Sequence, residues 1–154
     1  MLDKMYPFYA AAFACLMAQL LKPFIRLAID HEWHPELILA SGSMPSSHVA
    51  LVSSLCLSVG YVDGFSSTLF AVTLALSLII TYDAANVRYY AGQNIQLTKK
   101  LIDDLTELGQ LNPTDPIYYK KMKEVLGHTY LEVLGGAITG LVTSYIYHYF
   151  IFKR

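Results

Sequence analysis

The chain has 154 residues, of which 55% are hydrophobic and 15% are charged. A soluble domain is usually about 25% charged, so this composition is typical of a membrane protein. The 11 basic and 12 acidic side chains nearly balance, which gives no reason to expect a nucleic-acid partner. The length, with neither a linker nor a repeat, predicts a single domain over residues 1–154. Cys15 and Cys56 lie inside apolar runs, so we expect neither a disulfide nor a zinc site.

Four apolar runs are candidates for membrane-spanning helices: residues 5–21, 45–62, 65–82 and 133–152. A helix needs about 20 residues to cross a bilayer, and the first three runs are at the short end of that range. We therefore predict an all-α fold, a polytopic membrane bundle of about four transmembrane helices plus short interfacial helices. The lipid bilayer is its first expected partner.

The segments between these runs are more polar. Residues 23–40 are predicted to form an interfacial or re-entrant piece, with Trp33 at the depth of the lipid headgroups. After the third run, apolar side chains at helical spacing predict a helix along the membrane surface: Ile95, Leu97, Leu101, Ile102, Leu105 and Leu108. Asp115 and Pro116 predict the start of a second short helix that continues through Leu126.

The distribution of basic residues predicts the orientation. If all four runs cross, the loops on one side carry Lys22, Arg26, Arg88, Lys99, Lys100, Lys120, Lys121 and Lys123, and the other side carries Lys4, Lys153 and Arg154. Loops rich in lysine and arginine stay in the cytoplasm. This bias predicts a multi-pass protein of the plasma (inner) membrane with its candidate site facing the cytoplasm.

The segment of residues 41–48 reads Ser-Gly-Ser-Met-Pro-Ser-Ser-His and precedes the apolar run that begins at Val49. A helix N-terminus offers unpaired N–H groups to an anion. Ser46 and Ser47 add hydroxyl groups, and His48 adds a group that can move a proton near neutral pH. This combination is suited to a phosphate, although a serine at this point can also simply cap the helix.

Two further clusters fall at the same predicted membrane face. Arg88 has a planar guanidinium that matches phosphate oxygens, although Arg88 and nearby Asp83 could instead pair or reach the membrane surface. His128 and Glu132 are four residues apart and share a helix face. A carboxylate on one imidazole nitrogen leaves the other available for attack or for a metal. The alternative is an ordinary surface ion pair.

Three segments in order resemble the divergent branch of the type-2 phosphatidic acid phosphatase superfamily, which also includes vanadium-dependent haloperoxidases. They are residues 44–48, residues 82–92, and the Gly127-His128-Thr129-x-x-Glu132-Val133 motif. The resemblance implies that Ser46 binds phosphate and that His48 is the general acid. It also implies that His128 is the nucleophile, with Glu132 where the wider family has an aspartate.

The sequence departs from the wider family at several of these positions. Ser47 replaces the motif's glycine, and Lys22 and Arg26 are three residues closer together than the family's lysine and arginine. No proline follows Arg26. Arg88 lies 40 residues before His128, whereas the family separates the corresponding residues by only six.

We predict a metal-independent lipid phosphate phosphatase without a cofactor. It would hydrolyse polyprenyl pyrophosphate, phosphatidylglycerophosphate or phosphatidate through a phosphohistidine. The predicted site comprises catalytic His128, His48 and Glu132, phosphate-binding Ser46, Ser47, Arg88, Lys22 and Arg26, and supporting Asp83 and Asn86, with no metal ligand.

Three alternatives keep these residues. The same pocket could bind or transport a phosphorylated lipid without cleaving it. A metal could bind to Asp83, His48, His128 and Glu132, or the polar cluster could belong to a membrane scaffold. The GxxxG spacing of Gly136 and Gly140 lets another helix approach closely and is compatible with a homodimer.

Overall fold

The computed structural model describes residues 3–40, 43–109 and 130–152. Its α-helices are α1 (Tyr6–Asp30), α2 (Ser47–Asp63), α3 (Thr68–Ala85), α4 (Val87–Glu107) and α5 (Tyr130–Tyr147). Short 3₁₀ helices cover Asp3–Met5 and Pro35–Ile38, and a π-helical turn, His148–Phe152, follows α5. No β-strand occurs in these ranges. The prediction of an all-α fold is confirmed.

Local capping explains where α2 and α3 begin and end. The Ser46 hydroxyl accepts a hydrogen bond from the Val49 N–H at 3.5 Å, and the Ser67 hydroxyl accepts one from the Phe70 N–H at 3.1 Å. These are N-caps, which supply partners for otherwise unpaired amides of the first turn. Gly64, with φ of 90°, ends α2 in a conformation that favours glycine.

The first helix is longer than predicted. The segment 23–40 is not a single interfacial piece, because α1 continues to Asp30 with Pro23 inside it. A proline removes one helical hydrogen bond, here to the Gln19 carbonyl, but it does not always end a helix. The helix ends where His31 has φ of 59° and its N–H bonds the Leu27 carbonyl. The surface helix predicted near Ile95 is part of α4, and the predicted helix at residues 115–126 lies outside the described ranges.

Three helices pack through rows of small residues spaced four apart. These rows are Ala10, Ala14 and Ala18 on α1, Ala50, Ser54 and Ser58 on α2, and Gly136, Gly140 and Ser144 on α5, all buried. At Gly140, a side chain would meet the backbone, since an added Cβ would lie 2.3 Å from the Ala50 carbonyl oxygen. The close approach predicted from the GxxxG spacing is therefore made to α2 of the same chain.

The same three helices have a clear relative direction. The starts of α2 and α5 meet where the Ser46 N–H donates to the Glu132 carbonyl at 3.0 Å. Towards their other ends, the Ser58 and Ser144 hydroxyls are 2.7 Å apart. These two helices thus run parallel. In contrast, α1 runs the opposite way, since the rings of Tyr6 at its start and Tyr147 at the end of α5 are 5.6 Å apart.

Large apolar side chains point outward from the bundle. Exposed examples are Phe13, Leu16, Leu20 and Phe24 on α1, Val72, Leu76 and Ile79 on α3, and Leu134, Ile138 and Val142 on α5. Small residues inside and large apolar residues outside are typical of helices that pack in lipid. By length and composition, α1 and α3 could each cross a membrane, whereas the apolar α2 has 17 residues. The described part of the chain thus contains two candidate membrane spans, and the count of four transmembrane helices stays a prediction.

Candidate functional site

The candidate site lies where the starts of α2 and α5 meet the last turns of α1. The motif before α2 fits closely against α5 because two glycines face it. A Cβ added at Gly136 would lie 2.5 Å from the Ser46 carbonyl oxygen, and one at Gly135 would lie 2.8 Å from the Met44 side chain. The structure therefore brings the predicted serine motif next to Glu132, the residue that begins this contact on α5.

Lys22 is the charged group at the centre of this contact. Its side chain is only 1% exposed, and its Nζ donates to the Ala40 carbonyl at 2.9 Å. The negative charge of Glu132 acts on the Lys22 ammonium group. An ammonium has three N–H donors, and within the described ranges the Ala40 carbonyl is the hydrogen-bond acceptor found for it. The remaining donors could bind the oxygens of an anion.

The serines of the motif are buried rather than open. Ser46 is fully buried and caps α2, as the simpler sequence interpretation allowed, and Ser47 is 4% exposed. Because the Ser46 oxygen accepts from Val49, its own O–H proton can still be donated to another oxygen. His48 is exposed on the first turn of the same helix.

Arg26 follows Lys22 by one helical turn but faces a different environment. It forms an ion pair with Asp30, and its side chain is 50% exposed. Arg26 is therefore partly engaged elsewhere, in contrast to the buried Lys22. The two cations predicted together as phosphate ligands are thus not equivalent in the structure.

A hydrogen bond joins the α3–α4 junction to the start of α5. Asn86 lies between α3 and α4, and its Nδ2 donates to the Tyr82 carbonyl at 3.2 Å. Its Oδ1 accepts from the Tyr130 hydroxyl at 3.3 Å. Arg88 follows Asn86 by two residues, in the first turn of α4. His128 precedes Tyr130 by two residues and lies outside the described ranges. The hydrogen bond thus joins the α3–α4 junction, just before Arg88, to the first residue of α5.

Two further predictions from the sequence concern Asp83 as a supporting carboxylate and a possible metal site. Asp83 is half-buried near the end of α3. In the part of the chain that the structure describes, no three His, Cys, Asp or Glu side chains are arranged to hold a metal ion. The metal-binding set considered from the sequence includes His128, which lies outside that part.

A groove of about 600 Å³ opens beside the Asn86–Tyr130 hydrogen bond. It is formed mainly by apolar side chains of α3 and the start of α5: Leu78, Ile79, Thr81, Tyr82, Ala85, Asn86, Tyr130 and Val133. Its shape and lining are suited to a hydrocarbon chain rather than to a charged group.

The loop that follows α1 contains a histidine held between two carboxylates. His34 Nδ1 is 2.8 Å from Glu36 Oε1, and its Nε2 is 3.2 Å from Glu32 Oε2. Ionised carboxylates only accept hydrogen bonds, so both contacts require the doubly protonated imidazolium. The hydrogen bonds to Glu36 and then to Glu32 raise the pKa of His34. We call these three residues the His34 clamp.

The His34 clamp predicts a pH-dependent contribution to stability. Because the pKa is raised on folding, the contribution is fully present below the unfolded pKa of about 6.5 and is lost as the pH rises through the folded-state pKa. We expect His34→Gln to lower the unfolding temperature at acidic pH and to have no effect at alkaline pH. Thermal unfolding across this pH range in detergent would measure the difference. Added salt should reduce the stabilisation by the His34 clamp, because the clamp is exposed.

His31→Gln is the matched control, since within the described residues no carboxylate contact is found for that exposed side chain. If the difference in unfolding temperature between His34→Gln and the parent persists unchanged at alkaline pH, the His34 clamp is not its cause.

A family model described as "Divergent PAP2 family" matches residues 4–143. The chain belongs to the divergent PAP2 family. The resemblance stated from the sequence is thus confirmed. The chain is also 32% identical over 150 residues to the uncharacterized membrane protein YuiD of Bacillus subtilis (strain 168), with 94% of this chain and 95% of that protein covered. No solved structure matches the chain.

Several features of this divergent PAP2 site were not predicted. They are the hydrogen bond that the Ala40 carbonyl accepts from Lys22 and the one that the Tyr130 hydroxyl donates to Asn86. A backbone carbonyl has no signal in the sequence, and Tyr130 had no motif of its own. Gly135 could have been noticed, because it forms a pair with Gly136 at the start of an apolar run.

Proposed function

We propose that this divergent PAP2 protein is a membrane-embedded hydrolase that removes phosphate from a lipid phosphate or pyrophosphate. The observation that carries the proposal is the buried Lys22 ammonium, which feels the negative charge of Glu132, the residue whose carbonyl accepts from the Ser46 N–H. A buried cation is costly unless an opposite charge or hydrogen bonds compensate it. A phosphate would supply both, together with the unpaired amides of a helix N-terminus.

In the proposed reaction, His128 attacks phosphorus in line while Glu132 holds its imidazole. A phosphorus–nitrogen bond forms and the bond from phosphorus to the leaving oxygen breaks, with His48 donating a proton to that oxygen. Water then attacks the phosphohistidine, giving up a proton to His48 and releasing inorganic phosphate. Lys22, Arg88 and Ser46 would stabilise the charge that develops on the equatorial oxygens.

The apolar groove beside Asn86 and Tyr130 supports a substrate with a hydrocarbon chain. Polyprenyl pyrophosphate, phosphatidylglycerophosphate and phosphatidate all combine such a chain with a terminal phosphate. We further propose a multi-pass topology in the plasma (inner) membrane, with the site facing the cytoplasm. The outward-facing apolar side chains and the bias of basic residues support that topology.

The test is phosphate release by purified protein in detergent from a panel of these lipids. We expect release by the parent that is abolished in His128→Ala, competitive inhibition by vanadate and insensitivity to chelators. His31→Ala is the matched control, because His31 is exposed at the end of α1, and it should retain activity.

Full activity in His128→Ala would contradict the assignment of His128 as the nucleophile. Strict dependence on an added divalent metal would contradict the metal-independent mechanism. Saturable binding of the lipids without release would instead support the non-catalytic binder or transporter.

A further inference from the structure

Two large apolar side chains are exposed in the segment that follows α1, and the second of them directly precedes Ala40, the hydrogen-bond acceptor of Lys22. Leu39 is 93% exposed and Trp33 is 51% exposed, although both are large apolar side chains. The Trp33 ring packs edge-on against Phe24, with a distance of 5.3 Å between ring centroids. The three exposed side chains of Phe24, Trp33 and Leu39 are here called the apolar patch.

The patch continues the outward-facing surface of α1. Phe24 is itself 59% exposed, and it extends the row of exposed side chains formed by Phe13, Leu16 and Leu20. At 100° per residue, this row lies about 115° around the axis of α1 from the small-residue row that packs in the core. Trp33 thus adds an aromatic ring to the end of this exposed apolar surface.

The charged groups near the patch are engaged with one another. Arg26 pairs with Asp30, and His34 bonds both Glu32 and Glu36. Arg26 and His34, the exposed or half-exposed cations of this segment that have carboxylate partners, are thus neutralised locally. The partner that fits is an apolar and uncharged zone, and tryptophan is enriched where such a zone meets water.

The patch is also connected to the candidate site. Leu39 is followed directly by Ala40, whose carbonyl accepts the hydrogen bond from Lys22 Nζ at 2.9 Å. A contact that fixes the position of Leu39 therefore limits the position of the Lys22 ammonium as well.

We propose that residues 31–40, here called the anchor loop, dock into the interfacial zone of the phospholipid bilayer through Trp33 and Leu39. This contact holds Lys22 at the depth of the headgroups. The inference does not depend on hydrolysis and stands even if the protein only binds its lipid.

Trp33 is the sole tryptophan of the chain, so its fluorescence reports the anchor loop without a label. The protein would be reconstituted into phosphatidylcholine vesicles brominated at a shallow or a deep position of the acyl chain. We expect shallow bromine to quench Trp33 more strongly than deep bromine. Replacing part of the lipid with anionic phosphatidylglycerol should leave the quenching unchanged.

A matched control places the tryptophan one residue away, in the double variant Trp33→Phe with Glu32→Trp. The Glu32 side chain is 73% exposed, and its replacement should be quenched much less. Absence of quenching at Trp33 would overturn the proposal. So would a shielded but unquenched Trp33 whose emission varies with the lipid-to-protein ratio, since a second copy of the chain would then cover the patch.

The hydrogen bond between Lys22 and the anchor loop can be tested by the fluorescence anisotropy of Trp33. We expect Lys22→Met to lower the fluorescence anisotropy of Trp33 in vesicles, because the anchor loop loses its hydrogen bond to α1. Lys4→Met, at the other end of the bundle, should leave the anisotropy unchanged. Equal anisotropy in the parent and Lys22→Met would overturn the connection.

Discussion

Replacing Gly140 with alanine should destabilise the protein by about 1–3 kcal/mol, the usual cost of overpacking a core. The added Cβ would lie 2.3 Å from the Ala50 carbonyl oxygen and 3.0 Å from its Cα. Both are backbone atoms, so the contact can be relieved only by moving α5 away from α2. The sign of the effect is informative, because glycine to alanine in an unhindered helix stabilises by about 1 kcal/mol.

Gly60→Ala is the matched control for this prediction. A Cβ at Gly60 would meet the ring of Phe65 at 2.4 Å, and a side chain near a helix end can turn aside more easily than a backbone can move. Thermal unfolding of both variants in the same detergent would compare them. If Gly140→Ala is as stable as Gly60→Ala, the backbones of α5 and α2 do not approach closely at Gly140.

Lys22→Met is expected to weaken the binding of vanadate or phosphate by about 10- to 150-fold. This range corresponds to the loss of a charged hydrogen bond worth about 1.5–3 kcal/mol. Phosphate release, if present, should fall by at least as much, because the charge to be stabilised grows in the transition state. Methionine nearly matches the length of lysine, so the packing of the buried side chain is kept.

The stability of Lys22→Met is measured beside its affinity, so that a binding role is separated from a structural one. The substitution leaves the Ala40 carbonyl without its hydrogen-bond donor, which costs about 1–3 kcal/mol. The unfolding temperature should therefore fall, and vanadate affinity is compared at a temperature where both proteins are fully folded. Lys4→Met, which removes an exposed lysine at the opposite end, should alter neither property. A parent-like affinity for vanadate in Lys22→Met would refute the role proposed for this ammonium group.

The helices could be predicted because their signals are local. Apolar runs and capping serines are properties of neighbouring residues, so the positions of α2 and α3 followed closely from the sequence. Pro23 misled the prediction for α1, because whether a proline ends a helix depends on the packing around it. The small-residue rows were visible in part as the spacing of Gly136 and Gly140, but their partner helix was not.

The candidate site was predictable residue by residue, whereas its contacts were not. The sequence pointed to Lys22, Ser46 and Glu132 separately. Their proximity depends on how three helices cross, and the Ala40 carbonyl that holds Lys22 carries no chemical signature in the sequence. The different environments of Lys22 and Arg26 also follow from burial, which two cations on one helix do not reveal by spacing alone.

The spacing of the small residues has a geometric consequence for the whole bundle. A row of side chains four residues apart is inclined by about 26° to its helix axis, so helices that mesh along such rows cross instead of lying side by side. At that crossing, Gly140 of α5 lies directly against the backbone of Ala50 in α2. Continued by the same spacing, the rows end in larger polar residues: Tyr6 and Lys22 on α1, and Glu132 and His148 on α5. If the contact at Gly140 is kept, a change in the angle at which α2 and α5 cross would separate or close both ends of this helix pair together, the one at Ser46 and Glu132 and the one at Ser58 and Ser144.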